Sequence, residues 1–494
     1  MQAIFRTKSV DQLVSDTREK GQILKKVLGP MDVTMIGIGA IIGAGIFTMV
    51  GRAAVGSADG SVTGAGPALI ISFIITAIAC GFTAFCYAEF ASMVPVSGSA
   101  YTYSYATMGE LVAWIIGWDL IIEYAIGNVA VAISWAGYFN DFIKSIFGME
   151  IPIWLRIDYR TFMQKGLDIN TVPHIGGIPI IFNLAAVGII VLLTIILVRG
   201  IKESTRFNDF MVLIKLAVLA LFVGIGIYYF KIENWQPFAP GGFTGIQVGA
   251  ATIFFAYIGF DAVSTVAEEC KDPAKDMPIG IIGSLVVCTI VYILVTMALT
   301  GMVPFAELRN KIAEPLVAGL EYNHVSYKLI ALVSLGAIVA QTAVLLVFQM
   351  GQPRIFFSMS RDGLLPEFFG RVHKKFQTPH VATIITGVVV AILSAFCNID
   401  EMADLCNIGT LFAFILVCAG VMILRIKDPD RHRPFKAPGG LLFPILGILF
   451  CVYLMFGLPW ITWKRFIIWL VIGLLIYYSY GQHHSKLRKN PADN

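Results

Sequence analysis

The chain has 494 residues, of which 57% are hydrophobic and only 14% are charged, and its formal net charge is +4. Because soluble domains carry about 25% charged residues, this composition excludes a soluble globular protein and indicates one embedded in a membrane. The small net charge gives no reason to expect a nucleic acid partner.

Twelve apolar segments follow one another along the chain, and a bilayer-spanning helix needs about 20 such residues. The predicted spans one to twelve are, in order, 32–52, 67–94, 108–147, 178–199, 207–230, 244–269, 278–302, 327–358, 381–397, 401–425, 441–459 and 465–481. We therefore predict an all-α polytopic membrane protein with a single membrane domain over 31–481. Residues 1–30 are polar, which excludes a cleavable signal peptide and suggests an amphipathic helix, and 482–494 form a basic tail.

Basic residues in short loops set the orientation of such a protein. With both termini in the cytoplasm, cytoplasmic stretches hold 24 of the Lys and Arg residues and external stretches hold 11. We therefore expect a multi-pass protein of the cell membrane with both termini cytoplasmic. The external loop 148–177 is polar enough to hold short structure of its own, and 304–326 should form a half-buried cap between spans seven and eight.

Sequence motifs for cofactor-dependent or catalytic chemistry do not occur. The eight cysteines lie in or beside apolar segments without paired spacing, so they are interpreted as small core residues. The chain has no His-Glu-x-x-His and no phosphate-binding Walker loop. We predict no cofactor and no metal, and the rival classes of receptor, membrane enzyme and channel have less support than a transporter.

Span one contains four glycines in the run GIGAIIGAGIF over 37–47. In hydrocarbon a backbone break leaves polar groups unpaired unless they are shielded, and glycine costs a helix about 1 kcal/mol relative to alanine. One interpretation is an unwound segment with free amides facing a ligand. The alternative is close packing of helices through small residues.

Span six repeats the anomaly, because Gly259 and the ionisable Asp261 lie in its middle. Interrupted helices at matching positions of two halves indicate a transporter binding site, although two unrelated kinks remain the alternative. Amides of Ala44 and Gly45 at a helix start suit a carboxylate. Unpaired carbonyls before the breaks suit an ammonium, and those named for this role are Ile41, Phe255 and Ile258. A site with both halves predicts an α-amino acid as substrate.

The motifs of the chain resemble those of the amino acid–polyamine–organocation transporters, and in particular the bacterial branch of the cationic amino acid transporter family. The matching segments are IGIG (36–39), IGAGIF (42–47), PVSGSAY (95–101), WDLIIEY (118–124), GFD (259–261), EE (268–269), DP (272–273), Pro278 and PRIFFSMSRDGLLP (353–366). The resemblance implies a leucine-transporter-type fold with a 5+5 inverted repeat. Repeat one would cover 31–230, repeat two 244–425, and two peripheral helices 441–481.

The resemblance also implies roles for individual residues. The substrate carboxylate would lie on the amides of Gly43, Ala44 and Gly45, and the amine on the carbonyls of Ile41, Phe255 and Ile258. Ala256 is counted with the substrate-binding residues. The side chain of Phe255 would close over the substrate as an outer gate.

Lys215 lies nine residues past Arg206, about 13 Å along a helix, which is far for a lysine that only reaches towards the interface. In proton-coupled members of the family a lysine here replaces a sodium ion beside carbonyls matching Gly39 and Ile42. We therefore predict that Lys215 carries the coupling proton; the alternative is a tilted helix with Lys215 at the interface.

Glu123 and Asp119 are four residues apart on span three and share one helix face. Glu123 is expected to line the cavity, where it would pair with Lys215, relay protons or meet a cationic substrate; Asp119 lies nearer the end and is the better candidate for a solvated side chain. Asn128 matches a position near substrate, and the alternative is a hydrogen bond to a neighbouring helix.

Leu345 of span eight aligns with the side-chain pocket of the family, where a large apolar residue favours small or medium neutral amino acids over arginine; ordinary core packing is the alternative. Phe255, Glu268 and Arg361 are candidate gating residues. The partners expected are an amino acid, protons and the lipid bilayer, and any small membrane-protein partner is left unidentified. The prediction is a proton-coupled amino acid importer, with an exchanger of the same fold as the alternative.

Overall fold

The computed structural model describes residues 6–7, 26–56, 63–94, 99–200 and 205–489, and helices dominate these residues. Within them, seven helices are long and apolar enough to cross a membrane, one bent pair of helices forms a further span, and four apolar helices are shorter. These segments fall, in order, on the twelve spans expected from the sequence. The all-α polytopic membrane fold is therefore confirmed.

The helices that form the spans are, in order, Pro30–Ile41 with Gly45–Met49 and Val50–Val55; Gly66–Ala68 with Leu69–Met93; Glu110–Ile121, Ile122–Ile126 and Gly127–Phe147; Leu184–Arg199; Thr205–Tyr228; Gly242–Ile253 with Phe254–Ala256; Pro273–Met302; Tyr327–Arg361; His380–Phe396; Ile399–Lys427; Leu442–Met455; and Trp460–Ile476 with Tyr477–Gly481. Span six continues after its break as the 3-10 helix Ala262–Glu269.

The connections hold short elements. These are the helices Ser99–Thr107, Ile153–Leu155, Tyr159–Gln164, Ile169–Thr171, Ile232–Trp235, Glu307–Lys311, Pro315–Tyr322, Glu367–Gly370, Gln482–His484 and Lys486–Lys489, and the strands His174–Ile175 and Ile178–Pro179. The two strands pair antiparallel. The connection between spans three and four, predicted to be external, therefore does hold structure of its own, with a small apolar cluster of Phe162, Val172 and Ile181.

The outer surface of the bundle is apolar where a lipid would cover it. On span two, Ile71, Ile74 and Ile78 recur at helical spacing and are 39–43% exposed. The opposite face of the same helix is buried against span seven. Span one also packs on span seven, and span three packs on span eight. The interrupted spans are thus enclosed by continuous helices, which shield the polar groups of the breaks from hydrocarbon.

Both ends of the membrane domain differ in detail from the sequence-based boundaries. Most of the segment 1–30, with the amphipathic helix expected there, lies outside the described residues. At the other end the tail does not separate from the domain, because the Ser485 hydroxyl donates to the Glu110 carboxylate and Lys486 N–H donates to Asp362 O at 3.0 Å. The tail is therefore held against the ends of spans three and eight.

Candidate functional site

The break in span one is short. The first helix ends at Ile41, and Ile42 has an extended conformation with φ −74° and ψ 100°. A π-helix begins at Gly45, and the two halves are bent by 42°. Because the first amides of a helical segment have no partner one turn earlier, the second half begins with N–H groups at the positive end of its dipole.

The break in span six is longer and depends on glycine. The helix ends at Ala256, residues 257–261 are irregular, and a 3-10 helix begins at Ala262. Gly259 has φ +121°, and a Cβ there would lie 2.8 Å from Ala40 O. Its N–H donates to Asp261 Oδ1 at 3.2 Å. The mid-membrane aspartate therefore stabilises the turn in which it lies.

The two breaks lie directly against each other. A Cβ at Gly45 would lie 2.2 Å from the Cα of Ala256, so only glycine permits this approach. The Tyr292 hydroxyl of span seven joins both breaks, since it lies 3.0 Å from Ile41 O and 2.8 Å from Ala256 O. One of the carbonyls expected to bind an amine, that of Ile41, therefore already has a partner.

Lys215 belongs to span five, and its side chain reaches the end of the first half of span one. Its side chain is completely buried, and Nζ donates to Gly39 O at 2.7 Å and to Ile42 O at 3.2 Å. Lys215 makes no salt bridge with any carboxylate in the part of the chain that the structure describes. A lysine ammonium has three donors, and here two of them fall on carbonyls that the break has freed.

Glu123 lies in a π-helical turn of span three, Ile122–Ile126. Its carboxyl group is fully buried, and neither of its oxygens has a hydrogen-bond partner among the described residues. Asp119 is buried too, so it is not a solvated residue. Among the described residues Lys215 forms no salt bridge with Glu123, whereas the carboxyls of Asp261 and Asp119 interact with it electrostatically. Three acidic side chains therefore lie near the break of span six.

Asn128 is buried one turn further along span three. Its amide nitrogen donates to Gln349 of span eight, whose own amide nitrogen donates to Thr194 of span four at 3.0 Å. Asn128 therefore forms a hydrogen bond between neighbouring helices, which was the alternative to its lining the substrate site. Its Oδ1 atom has no hydrogen-bond partner among the described residues.

Span eight meets the break of span one through Val344 rather than Leu345. A Cβ at Gly43 would lie 2.8 Å from Val344 Cγ2. Leu345 is fully buried beside it. One turn earlier, both polar atoms of the Gln341 amide are buried without a hydrogen bond to any described residue. Buried polar groups of this kind are uncommon and often mark functional positions.

The candidate gating residues are dispersed. Phe255 is only 5% exposed, and Ala256 and Ile258 beside it are also buried. Arg361 lies exposed at the end of span eight and makes no ion pair with any carboxylate among the described residues. Glu268 is the last residue but one of the 3-10 helix of span six, and its side chain lies outside the described part of the structure.

The cap between spans seven and eight covers the second half of span one. A Cβ at Gly51 would lie 2.6 Å from Ile312 O, and the Glu314 carboxylate lies over Gly137 of span three. Lys311 forms a salt bridge with Asp141 at 3.0 Å. Burial, reinforced by the nearby Asp141 carboxylate, raises the pKa of Glu314 to about 7. The cap between spans seven and eight thus contains a carboxyl group that titrates near neutral pH.

Sequence reasoning missed Tyr292, Val344 and Gln341. Tyr292 stands in a long apolar run of span seven, where a buried hydroxyl needs a partner, but the sequence does not say which one. Val344 is an ordinary apolar residue of a helix and gives no signal. Gln341 is the detectable case, because a polar amide in the middle of a predicted span is expensive.

Comparison with known proteins gives a consistent set of relatives. A family model described as amino acid permease matches residues 28–477. The branched-chain amino acid permease BcaP of Bacillus subtilis (strain 168) is 46% identical over 99% of each chain. The methylthioribose transporter of the same organism is 44% identical over 99% of this chain and 100% of its own. The vacuolar cationic amino acid transporter 2 of Arabidopsis thaliana is 36% identical over 87% of this chain and 64% of its own.

Proposed function

The chain belongs to the amino acid permease family, within the amino acid–polyamine–organocation superfamily, and on that premise we propose that it imports a neutral amino acid by alternating access, coupled to protons. It is a membrane transporter and not an enzyme. The observation that carries the proposal is the contact between the two interrupted spans, with the Lys215 ammonium on the carbonyls of one of them.

The substrate carboxylate is assigned to the amides at Gly43, Ala44 and Gly45. These amides open the second half of span one, where both free N–H groups and the helix dipole favour an anion. The close approach of Gly45 to Ala256 brings the backbones of the two breaks together. A carboxylate there would therefore lie within reach of span six as well.

The substrate amine is assigned to the carbonyls of Phe255 and Ile258. No hydrogen bond from another span reaches either carbonyl among the described residues, whereas Ile41 O already accepts from Tyr292. A carbonyl oxygen accepts two hydrogen bonds, so Ile41 O has room for one from the amine beside that of Tyr292. In this proposal the Tyr292 hydroxyl occupies one of the acceptor positions that suit the ammonium.

Proton coupling is assigned to two buried sites, one basic and one acidic. Lys215 holds a proton on carbonyls of Gly39 and Ile42, directly below the proposed carboxylate site. The neighbouring carboxyls of Glu123 and Asp261 would repel each other if both were ionised away from water, so together they would retain a proton. A movement of span one that opens the site would expose both Lys215 and the Glu123–Asp261 pair to the same side of the membrane.

The proposed substrates are small or medium aliphatic amino acids. Val344 and Leu345 are apolar and buried, which leaves no partner for a guanidinium at this end of the site. The relative that is named for branched-chain amino acids points the same way. A second candidate substrate is methylthioribose, because a relative of nearly equal identity is named for it. That molecule has no carboxylate and no amine, so the two candidates demand different sites.

The test is uptake into proteoliposomes of labelled leucine, with and without an inward proton gradient. We expect leucine uptake to need the gradient, and unlabelled valine, isoleucine and alanine to compete. Competition by arginine above alanine would contradict the substrate class. Competition by methylthioribose alone would move the assignment to the second candidate.

Matched variants test the coupling. Lys215→Ala should abolish acid-driven accumulation, while Lys231→Ala, which alters an exposed lysine, should leave it intact. Accumulation that survived Lys215→Ala would refute the coupling role. Uptake that required preloaded internal amino acid and ignored the gradient would support an exchanger instead.

A further inference from the structure

A separate pocket lies at the edge of the bundle, away from the two breaks. Its volume is about 460 Å³, and it lies where span four ends, span eight passes its Pro353 and the connection from span eight enters span nine. Predicted orientation puts this level at the cytoplasmic surface of the membrane. The pocket is not used in the transport mechanism proposed above.

The residues that line this pocket carry positive and no negative charge. Arg199, Arg354 and Lys375 are among its thirteen lining residues, and none of the thirteen is acidic. Within the described residues none of the three cations forms a salt bridge. Arg354 has only the Met350 sulfur at 3.4 Å, and Lys375 lies 5.7 Å from the centre of the Phe376 ring. All three are exposed residues that water can solvate, and together they offer an anion three donors with no acid among the lining residues to compete for them.

An apolar surface leads into the pocket from the membrane. Leu192 and Ile196 of span four are 53% and 37% exposed, and they share a helix face with Arg199 because the three recur at spacings of four and three. On span nine, which packs beside span four, Ile384 and Val388 form a similar exposed stripe. Apolar stripes that end in cations at a helix terminus match the two parts of a lipid, the acyl chain and the charged headgroup.

We propose that the pocket between spans four, eight and nine binds the phosphate headgroup of an anionic glycerophospholipid, with its acyl chains along the exposed faces of spans four and nine. The shared chemistry is that of a phosphate ester, which a free phosphate also offers, and the apolar stripes are what favour the lipid. Basic pockets between transmembrane helices on the cytoplasmic side suit anionic headgroups in general.

An occupant here would contact the helix that lines the central site. Gln349 is part of the pocket wall and also accepts from Asn128 of span three and donates to Thr194 of span four. A headgroup bound against Gln349 would thereby stabilise the contacts among spans three, four and eight. Stabilisation by the lipid should accordingly be measurable on the whole protein and not only at the pocket.

The experiment measures lipid retention and thermal stability of the purified protein in detergent. Phosphatidylglycerol, phosphatidylcholine, inorganic phosphate and glycerol phosphate are each added to the wild type and to the triple variant Arg199→Gln, Arg354→Gln, Lys375→Gln. The control is Lys271→Gln, Lys427→Gln, Lys436→Gln, which removes three exposed cations from the same predicted side. Native mass spectrometry reports bound lipid, and unfolding temperature reports stabilisation.

We expect the wild type and the control to retain phosphatidylglycerol in preference to phosphatidylcholine. Each cation near an anionic lipid contributes enough that loss of three should weaken binding about 100-fold. Equal binding by the triple variant and the control, or equal binding of the two lipids, would overturn the proposal. Stabilisation by inorganic phosphate or glycerol phosphate as large as that by the lipid would assign the pocket to a soluble phosphate instead. If the triple variant does not fold, Lys375→Gln, in an exposed connection, replaces it and should weaken binding about fivefold.

Discussion

The two breaks of this protein are stabilised in different ways. In span one the freed carbonyls accept hydrogen bonds from side chains of other spans, namely Lys215 of span five and Tyr292 of span seven. In span six the turn is stabilised partly from within, because Gly259 N–H donates to Asp261 Oδ1 and Ser264 N–H donates to Asp261 O, and partly from span seven, because Ala256 O accepts from the Tyr292 hydroxyl. The first break is short and bonded to two other spans, whereas the second is long and combines internal hydrogen bonds with one from span seven.

This difference assigns different capacities to the two spans. A break whose polar groups depend on side chains of other helices can change when those side chains lose a proton or move. A turn that forms part of its own hydrogen bonds depends less on its neighbours when the bundle rearranges. We infer that the proton on Lys215 acts mainly on span one and that the turn of span six, beside the carboxyls of Glu123 and Asp261, keeps more of its shape.

The largest effect should come from Gly45→Ala. The new Cβ would collide with the backbone of Ala256 at 2.2 Å, and overpacking of this kind costs about 1–3 kcal/mol or more, so we expect uptake to fall about tenfold or more. The matched variant is Gly81→Ala in span two, where a Cβ meets nothing within 4 Å. Proteoliposome uptake compares the two. If Gly81→Ala were as damaging as Gly45→Ala, the close contact of the breaks would not be what matters.

Gly259→Ala should have the next largest effect, and it tests the turn in the break of span six. Alanine at φ +121° is strained, and its Cβ would lie 2.8 Å from Ala40 O. A left-handed conformation costs a non-glycine residue about 1–2 kcal/mol. We expect a lower thermal unfolding temperature and reduced uptake. Gly224→Ala, where a Cβ meets nothing within 4 Å, is the control and should change neither quantity.

Tyr292→Phe separates the two breaks by removing the hydroxyl that joins them. A buried carbonyl left without its partner costs about 1–3 kcal/mol, so thermal stability without substrate should decrease. If the hydroxyl occupies an acceptor position that suits the substrate ammonium, saturating leucine should recover more stability in the variant than in the wild type. Equal stabilisation by leucine in both proteins would contradict that role.

Glu314→Gln should give the smallest effect, confined to the cap over span one. The pKa of Glu314 is raised to about 7, above the ordinary value of about 4.3. The folded state therefore binds more protons than the unfolded state between these values, and stability decreases as pH rises through this range. Charges facing the group include Asp141, Lys311, Lys165 and Arg156.

The measurement is the unfolding temperature from pH 5 to pH 8 for Glu314→Gln, the wild type and the exposed-site control Glu233→Gln. We expect the fall between pH 5 and 7 to be smaller in Glu314→Gln than in the other two. Identical pH profiles in all three proteins would show that Glu314 does not titrate in this range.

Much of the fold was predictable because it depends on local composition. Long apolar runs without polar residues must form helices in a bilayer, and the helices lie where the runs do. Both breaks were also visible, since Gly43, Gly45 and Gly259 weaken the helix where they occur and Asp261 adds a costly carboxyl group. The residues that fill the site were predicted less well. Asn128 bonds to another helix, Glu123 lies beside Asp261 and not Lys215, and Tyr292 was not foreseen.

The sequence by itself determined which segments cross the membrane and where two of them are interrupted. Both features depend on the hydrophobicity and helix propensity of residues within one segment. Only the tertiary structure decided which group meets which. Lys215 and Gly39 are 176 residues apart in the chain, and Tyr292 and Ile41 are 251 apart. Such pairs form because the folded bundle brings freed carbonyls and donors together in a dry interior, where an unpaired polar group is costly. No local pattern in the chain encodes that choice of partner.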